Sequence, residues 1–157
     1  MPSFHSSFVV RAPLEDVRAF HQGDAAKAFG ALAPPGSSVT FEQPMRVMQE
    51  GSLLKFTLWI GACVPVRWVA AHSEVGPTGF VDTMVEGPAK SWSHRHRFIE
   101  QGPDQTVVED SIAYEYDTGV RGAFARALFN TLSLRALFWW RGFATRRALE
   151  SGALRLK

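Results

Sequence analysis

Residues 79–117 read GFVDTMVEGPAKSWSHRHRFIEQGPDQTVVEDSIAYEYD, and this stretch decides the fold. Three runs rich in Val, Ile, Phe, Trp and Thr are separated by Gly87-Pro88 and by Gly102-Pro103-Asp104. β-Branched and aromatic residues favour strands, whereas Gly, Pro and Asp mark turns. The pattern therefore predicts two consecutive antiparallel hairpins, with strands at about 79–87, 91–100 and 105–117.

Similar runs precede this stretch. Three of them predict strands at about 38–43, 53–60 and 64–74, and Phe4 to Val10 alternates in the manner of an opening strand. Two short helices fit between the opening strand and this six-stranded meander. The first begins at Ala12-Pro13, and the second runs from Ala25 to Leu32 with Asp24 as its N-cap.

The C-terminal part changes to a helical pattern, from Gly119 to about Glu150. Apolar residues recur there at spacings of three and four, which predicts one long helix, followed by a frayed tail at 152–157. A helix as apolar as this needs a large partner surface, and only the sheet can provide one. Residues 1–157 are therefore predicted to form a single α+β domain. A seven-stranded curved antiparallel sheet carries two short helices, and the long C-terminal helix lies over its concave face and leaves a pocket.

Composition excludes several classes of function. The 157 residues are 46% hydrophobic and 20% charged, with a net charge of +2 and no long basic stripe, so no nucleic-acid partner is expected. No segment has the ~20 uncharged apolar residues of a membrane span, so no stable membrane insertion is expected. The single cysteine, Cys63, cannot form an intramolecular disulfide. With no recognisable signal peptide, the sequence favours a cytoplasmic location.

The strand at 91–100 carries the candidate site. Alternate residues of a strand share a face, so two histidines fall among aromatic residues on one side: Trp92, His94, His96 and Phe98. Buried polar groups need hydrogen-bonding partners, and carboxylates on the flanking strands can supply them. A hairpin around residues 87–90 predicts Asp82 opposite His96 and Met84 opposite His94. The next hairpin brings Asp110 near His96, with Tyr114 on the same face as Asp110.

Four interpretations of this cluster stay open. In the first, the carboxylates and imidazoles form a buried structural network. In the second, the network lines one end of the pocket and holds the polar head of a small, largely apolar ligand. The predicted ligand-binding residues are Trp59, Trp68, Asp82, Met84, Trp92, His94, His96, Asp110, Tyr114, Phe124 and Leu128.

The other two interpretations are chemical. If the protein is an enzyme, His96 and Asp110 would be a general acid/base pair and Tyr114 a proton donor, with cyclisation or dehydration of a carbonyl compound as the natural reaction. Alternatively, His94 and His96 with Asp82 or Asp110 would supply metal ligands. The two-residue spacing is common by chance, so no metal and no cofactor is assigned from the sequence.

The chain resembles the helix-grip superfamily of START proteins, polyketide cyclases and birch-pollen allergens (SRPBCC), and within it a bacterial branch of small ligand-binding-like proteins. The resemblance covers essentially the whole chain and is carried by short motifs: Phe20-His21, Pro34-Pro35-Gly36, Gly51, Pro65-Val66-Arg67-Trp68, Phe80-Val81-Asp82, Glu86-Gly87-Pro88, residues 92–98, Asp110, Tyr114-Glu115-Tyr116 and residues 137–141. It implies binding of apolar small molecules between sheet and long helix, in some members with cyclase, hydrolase or dehydratase chemistry.

The long helix also suggests a partner. Trp139 and Trp140 are adjacent, and because neighbouring helical residues differ by about 100° in direction, they cannot both face inward. One tryptophan is expected at the surface among arginines, where the helix would contact a second copy of the chain or a partner protein. A module acting beside a partner enzyme is thus a further functional hypothesis.

Overall fold

One seven-stranded antiparallel sheet dominates the computed structural model, which describes residues 1–61 and 63–151; the tail predicted at 152–157 lies outside them. The strands are β1 (Ser3–Val10), β2 (Ser37–Phe41), β3 (Leu53–Ile60), β4 (Val64–Gly76), β5 (Gly79–Glu86), β6 (Ser91–Gly102) and β7 (Gln105–Glu115). Their order across the sheet is β1-β7-β6-β5-β4-β3-β2. The meander is confirmed, and the opening strand adds to the far side of β7.

Four helices accompany the sheet within the described residues: α1 (Leu14–Gln22), α2 (Ala25–Leu32), α3 (Gly119–Leu128) and α4 (Thr131–Glu150). The prediction for α2 is confirmed, including its cap, because the Asp24 side chain accepts hydrogen bonds from the N–H groups of Ala26 and Lys27. None of the described helices is long and apolar enough to cross a membrane.

The predicted helix from Gly119 to Glu150 is corrected to two helices. The first ends at Leu128, and the Asn130 side chain accepts hydrogen bonds from the N–H groups of Leu132 and Ser133, which starts α4. Asparagine is among the preferred N-cap residues because its side chain satisfies donors that a helix start leaves free. The long C-terminal helix therefore spans 20 residues and begins at Thr131.

The alternation of buried and exposed residues along the strands places the core on one face of the sheet. Along β7 every second residue from Thr106 to Tyr114 is buried, and along β6 the same holds from Trp92 to Phe98. α4 covers the β1 side of this face, where Phe138 packs on Phe4 with ring centroids 5.1 Å apart. Of the three apolar clusters among the described residues, one surrounds Phe98 and Val108, one surrounds Trp92 and Ile112, and the third joins Ala25, Leu54 and Phe56. The first two lie on β6 and β7. The polar cluster lies between them.

The register of β5 against β6 differs from the prediction. Asp82 pairs with His94, and Phe80 pairs with His96, so the partner of each β5 residue is displaced by two positions. A displacement of two residues keeps every side chain on its predicted face, since the strand period is two. The pairing of His96 with Asp110 across β6 and β7 is as predicted.

Candidate functional site

A cavity of about 250 Å³ lies between the inner face of the sheet, α2 and α4. One water takes up about 30 Å³ of liquid, so the space is large enough for a small organic molecule. A depression of about 190 Å³ beside α1 and α2 lies away from the His–Asp cluster and is lined by Asp16, Ala19, Phe20, Asp24, Lys27, Ala28 and Leu149. The larger cavity is the candidate site.

Most of the cavity wall is apolar and aromatic. The side chains on the β2–β4 and α2 side are Phe29, Val39, Leu54, Phe56, Leu58 and Ala70. The rings of Phe56 and Trp68 stack with centroids 6.3 Å apart, and Trp68 meets Trp92 edge-on at 5.6 Å. Phe129, at the junction of α3 and α4, closes this wall against both tryptophans. Such a surface favours the apolar part of a ligand.

The opposite end of the cavity is polar because β4 to β7 place imidazoles and carboxylates in alternation. Asp110, 1% exposed, has its Oδ1 within 2.9 Å of both His94 Nε2 and His96 Nδ1. Asp82 lies across the cluster, with its Oδ2 3.0 Å from His96 Nε2 and its Oδ1 3.1 Å from His72 Nε2. The result is a chain of contacts, His72–Asp82–His96–Asp110–His94, that crosses four strands.

Arg141 reaches this cluster from α4. Its Nε lies 3.6 Å from Asp110 Oδ2, and its Nη2 lies 3.1 Å from His96 Nδ1. The Nδ1 atom of His96 can therefore accept a hydrogen bond from the guanidinium when it carries no proton, and donate to Asp110 when it carries one. The Arg141 side chain is 16% exposed and lines the cavity. The helix thus supplies the cationic partner of the buried Asp110 carboxylate.

The carboxylates of the cluster are held ionised. Burial by itself would raise the pKa of Asp110, but the positive charge of Arg141 and hydrogen bonds from both imidazoles hold it well below its ordinary value. Burial likewise opposes ionisation of Asp82, whose pKa is nevertheless lowered by hydrogen bonds from His72 and His96. Two anionic groups therefore lie in the polar cluster, Asp110 buried and Asp82 partly exposed.

The two histidines of β6 differ in proton affinity. Burial lowers the pKa of His94 to about 4, and the charge of His96 acts in the same direction, against the hydrogen bond to Asp110. Burial and Arg141 also act to lower the pKa of His96, but its hydrogen bonds to Asp110 and Asp82 prevail and raise it. His96 is thus the imidazole of the pair that more readily takes up a proton, and His94 stays neutral.

Five of the residues predicted to bind ligand line the cavity: Trp68, Asp82, Trp92, His94 and His96. Asp110 lies behind the two histidines. Tyr114 is 5% exposed and packs against Trp92, with ring centroids 5.6 Å apart, and Met84 and Leu128 pack beside them. These four residues support the wall and do not line the cavity.

Two predicted residues are placed elsewhere. Trp59 lies on the other face of β3, because the cavity takes the even-numbered residues Leu54 to Leu58, and its Nε1 donates to Thr40 Oγ1 at 3.0 Å. Phe124 is 42% exposed on α3, since the break at Asn130 separates α3 from the helix that covers the sheet. The expectation that these two side chains line the pocket is therefore corrected.

Sequence reasoning missed two members of the cluster. His72 pairs with Asp82 across β4 and β5, and its position in the alternating pattern of β4 was a usable signal. Arg141 was expected among the arginines around the exposed tryptophan of the C-terminal helix, and nothing local shows that its side chain turns inward. His21, at the end of α1, also lines the cavity.

One ligand set for a metal is present among the described residues. A carboxylate oxygen of Asp82 and one ring nitrogen each of His94 and His96 lie within 4.8 Å of one another. All three residues line the cavity. The site can therefore combine proton transfer, hydrogen bonding and cation binding at one end with apolar contact along the rest.

Comparisons with known proteins address the architecture. No protein-family model matches the chain, and no curated protein matches its sequence. Solved structures match closely in shape. A START superfamily protein from Mycobacterium smegmatis has a TM-score of 0.67, with 14% identity over 95% of this chain and 97% of that chain. The chain has the helix-grip fold.

Two enzymes have the same architecture. The Zhui aromatase/cyclase from a Streptomyces species has a TM-score of 0.69, with 13% identity over 96% of this chain and 94% of that chain. Norcoclaurine synthase from Thalictrum flavum, in complex with dopamine and hydroxybenzaldehyde, has a TM-score of 0.63, with 17% identity over 95% of this chain and 87% of that chain. Identities this low establish the fold alone, and the fold is shared by binding proteins and enzymes. The fold predicted from the sequence is confirmed.

Proposed function

We propose that the protein binds a small, largely apolar molecule in the cavity between the sheet and α4, with the molecule's polar group at the His–Asp–Arg end. The observation that carries this proposal is the division of one cavity into an aromatic wall and a polar end. Small-molecule sites commonly combine apolar walls with a few placed polar groups. Here Phe56, Trp68 and Trp92 form the wall, and His94, His96 and Arg141 supply the polar groups.

The polar end suits a ligand group that both donates and accepts hydrogen bonds. Two carboxylates, Asp82 and Asp110, are matched by the Arg141 guanidinium and the readily protonated His96. Because the opposite charges nearly balance, a neutral hydroxyl, phenol or carbonyl fits better than a free carboxylate. Burying a second unpaired charge there would be costly.

A pair of neighbouring alanines gives a sharp test. Ala70 faces the cavity, whereas Ala71 lies on the other face of β4. Ala70→Phe is expected to fill the cavity and weaken binding of the apolar fluorophore N-phenyl-1-naphthylamine by more than tenfold, and Ala71→Phe is expected to leave it unchanged. Equal affinity in both variants, or no binding by the folded wild-type protein, would refute the proposal. Native mass spectrometry of the purified protein, followed by solvent extraction, then identifies any molecule that it carries.

A second candidate function is an enzyme of the cyclase or dehydratase type. The specific observation in its favour is His96, an imidazole held between two carboxylates and facing the cavity, which is a suitable arrangement for proton transfer. Tyr114 is no candidate proton donor here, because its side chain is buried behind Trp92. If the extracted molecule is converted by the protein, His96→Ala is expected to abolish turnover and largely keep binding. A binding protein has no turnover to lose.

A further inference from the structure

We propose that Asp82, His94 and His96 form a binding site for a divalent transition-metal ion such as Zn²⁺ or Co²⁺, open to the cavity. The proposal goes beyond ligand binding and does not depend on it. Its basis is the geometry of three donors that lie within 4.8 Å of one another and line the same cavity. The two-residue spacing of the histidines was too common a pattern to assign a metal from the sequence, whereas the three-dimensional arrangement supports one.

The donor set has the chemistry of a transition-metal site. Imidazole nitrogen and carboxylate oxygen are both common Zn²⁺ ligands, and three protein ligands with one open position are typical of sites where the ion meets a small molecule. Two histidines with one carboxylate also suit other divalent first-row metals. Asp82 Oδ2 and His96 Nε2 are 3.0 Å apart, which is close to the ~3.4 Å separation of neighbouring ligands expected for ~2.1 Å bonds in a tetrahedron.

The surroundings provide the outer hydrogen bonds that metal-bound imidazoles require. A ligating histidine usually donates its other ring N–H to a carboxylate or carbonyl, which fixes its orientation. The buried Asp110 Oδ1 lies 2.9 Å from His94 Nε2 and from His96 Nδ1, so it can accept from both rings at once. This leaves His94 Nδ1 and His96 Nε2 as the nitrogens for the ion. His72 Nε2 lies 3.1 Å from the other carboxylate oxygen of Asp82 and fixes the orientation of that ligand.

The His94 side chain gives an independent indication. The residue is 8% exposed, and among the described residues its Nδ1 has no hydrogen-bond partner. The Nδ1 atom is therefore free to bind an ion in the cavity that His94 lines. An ion bound between Asp82 and the two histidines would use it.

Electrostatics decides whether a cation is tolerated. Arg141 opposes it, but this guanidinium is balanced by Asp110, 3.6 Å away. The Asp82 carboxylate then remains as the anionic ligand of the ion.

The test uses protein free of any histidine tag and stripped with a chelator. Titration with Co²⁺ is expected to give visible d–d absorption that saturates at one equivalent and is reversed by Zn²⁺. Asp82→Asn is expected to weaken Zn²⁺ binding by more than 100-fold, because loss of an outer-shell partner alone typically costs 10–100-fold. Asp110→Asn, which changes only such a partner, is expected to lie within that smaller range. His5→Gln, at an exposed histidine of β1 outside the cavity, is the control and is expected to bind as the wild-type protein does.

A second measurement does not depend on how the variants fold. Zn²⁺ added to wild-type protein is expected to shift the imidazole NMR signals of His94 and His96 and to leave those of the exposed His5 in place. Absence of stoichiometric Co²⁺ or Zn²⁺ binding by the folded wild-type protein would overturn the proposal. So would binding that survives in folded Asp82→Asn or is lost in folded His5→Gln. Because no organic ligand is added, failure here leaves the fluorophore experiment unaffected.

Discussion

Replacing His21 by phenylalanine is predicted to make the free energy of unfolding less sensitive to acid. His21 is 8% exposed; its Nδ1 donates to the Val17 carbonyl at 2.9 Å, and its buried Nε2 has no hydrogen-bond partner among the described residues. Burial, reinforced by the charge of Arg141, lowers its pKa to about 3, whereas a histidine in an unfolded chain titrates near ~6.5. As the pH falls below that value, the unfolded state takes up a proton that the folded state does not, so stability is lost.

The magnitude follows from the two pKa values. Each pH unit between them is worth about 1.4 kcal/mol. Lowering the pH from about 7.5 to about 4.5 crosses about two such units, so His21 alone should cost the wild-type protein roughly 2.7 kcal/mol. The His21→Phe variant lacks this term. All other titrating groups are common to both proteins and largely cancel in the difference.

Urea unfolding followed by tryptophan fluorescence, at four pH values in that range, measures the effect. The free energy of unfolding of His21→Phe minus that of the wild type is expected to rise by about 2.7 kcal/mol from the highest to the lowest pH. His5→Phe, at an exposed position of β1, is the control for losing a histidine without burial. If the difference for His21→Phe is constant over the range, the folded protein protonates His21 as easily as the unfolded chain, and the reasoning fails.

The remaining predictions concern a helix start, a tight backbone contact and an exposed aromatic pair. Asn130→Ala is expected to lower the free energy of unfolding by about 1 kcal/mol in urea, because two N–H groups at the start of α4 lose their acceptor; Asn130→Asp keeps an acceptor and should stay within a few tenths of the wild type. Gly79→Ala is expected to cost about 3 kcal/mol or more in the same assay, since its Cβ would lie 2.0 Å from a β6 carbonyl oxygen at a φ of +148°; unchanged stability would contradict this. Trp139, 72% exposed and stacked on Phe143, is expected to contribute to a homodimer, so Trp139→Ser should shift sedimentation towards monomer and Leu53→Ser on the outer sheet face should not. A wild-type protein that sediments as a monomer at every concentration would rule out that contact.

Strand positions and three members of the polar cluster, His94, His96 and Asp110, were predictable because they depend on local regularities. Alternation along β6 and β7 places His94, His96 and Asp110 on the buried face whatever the neighbouring strands do. That one of Trp139 and Trp140 is exposed also follows from helical geometry alone, and the structure exposes Trp139. Predicting these features requires only the side-chain period of a single strand or helix.

The register of β5 needed more than local pattern. Asp82 was expected opposite His96 but lies opposite His94. The prediction assumed a tight turn centred between Gly87 and Lys90, and the connection from β5 to β6 does not follow that turn. This error did not remove Asp82 from the predicted cluster, because a shift of two residues leaves each side chain on the same face of the sheet. The Asp82 side chain reaches His96 diagonally, at 3.0 Å. A shift of one residue would have removed Asp82 from the site.

The parts that escaped prediction depend on how one element is placed against another. Arg141 meets Asp110 because α4 crosses the sheet at one particular depth, and neither residue carries a local signal of the other. His72 meets Asp82 across a strand pair whose register shifts beside Ala70. The cavity depends on both arrangements, so its lining could be predicted only for residues already placed by the β6 period and its immediate neighbours.

The polar cluster is a poor device for stabilising this fold. Buried ion pairs often contribute less than apolar side chains of similar volume, because desolvation of the charges offsets their attraction. On the same sheet face, the pair Phe98 and Val108 lies on one side of Asp110 and Ile112 lies on the other, and all three are apolar. Two ionised carboxylates and a guanidinium stand at the cavity instead. These charges lower the stability of the fold. A polar ligand group or a metal ion that enters the cavity and interacts with them would explain why they are present.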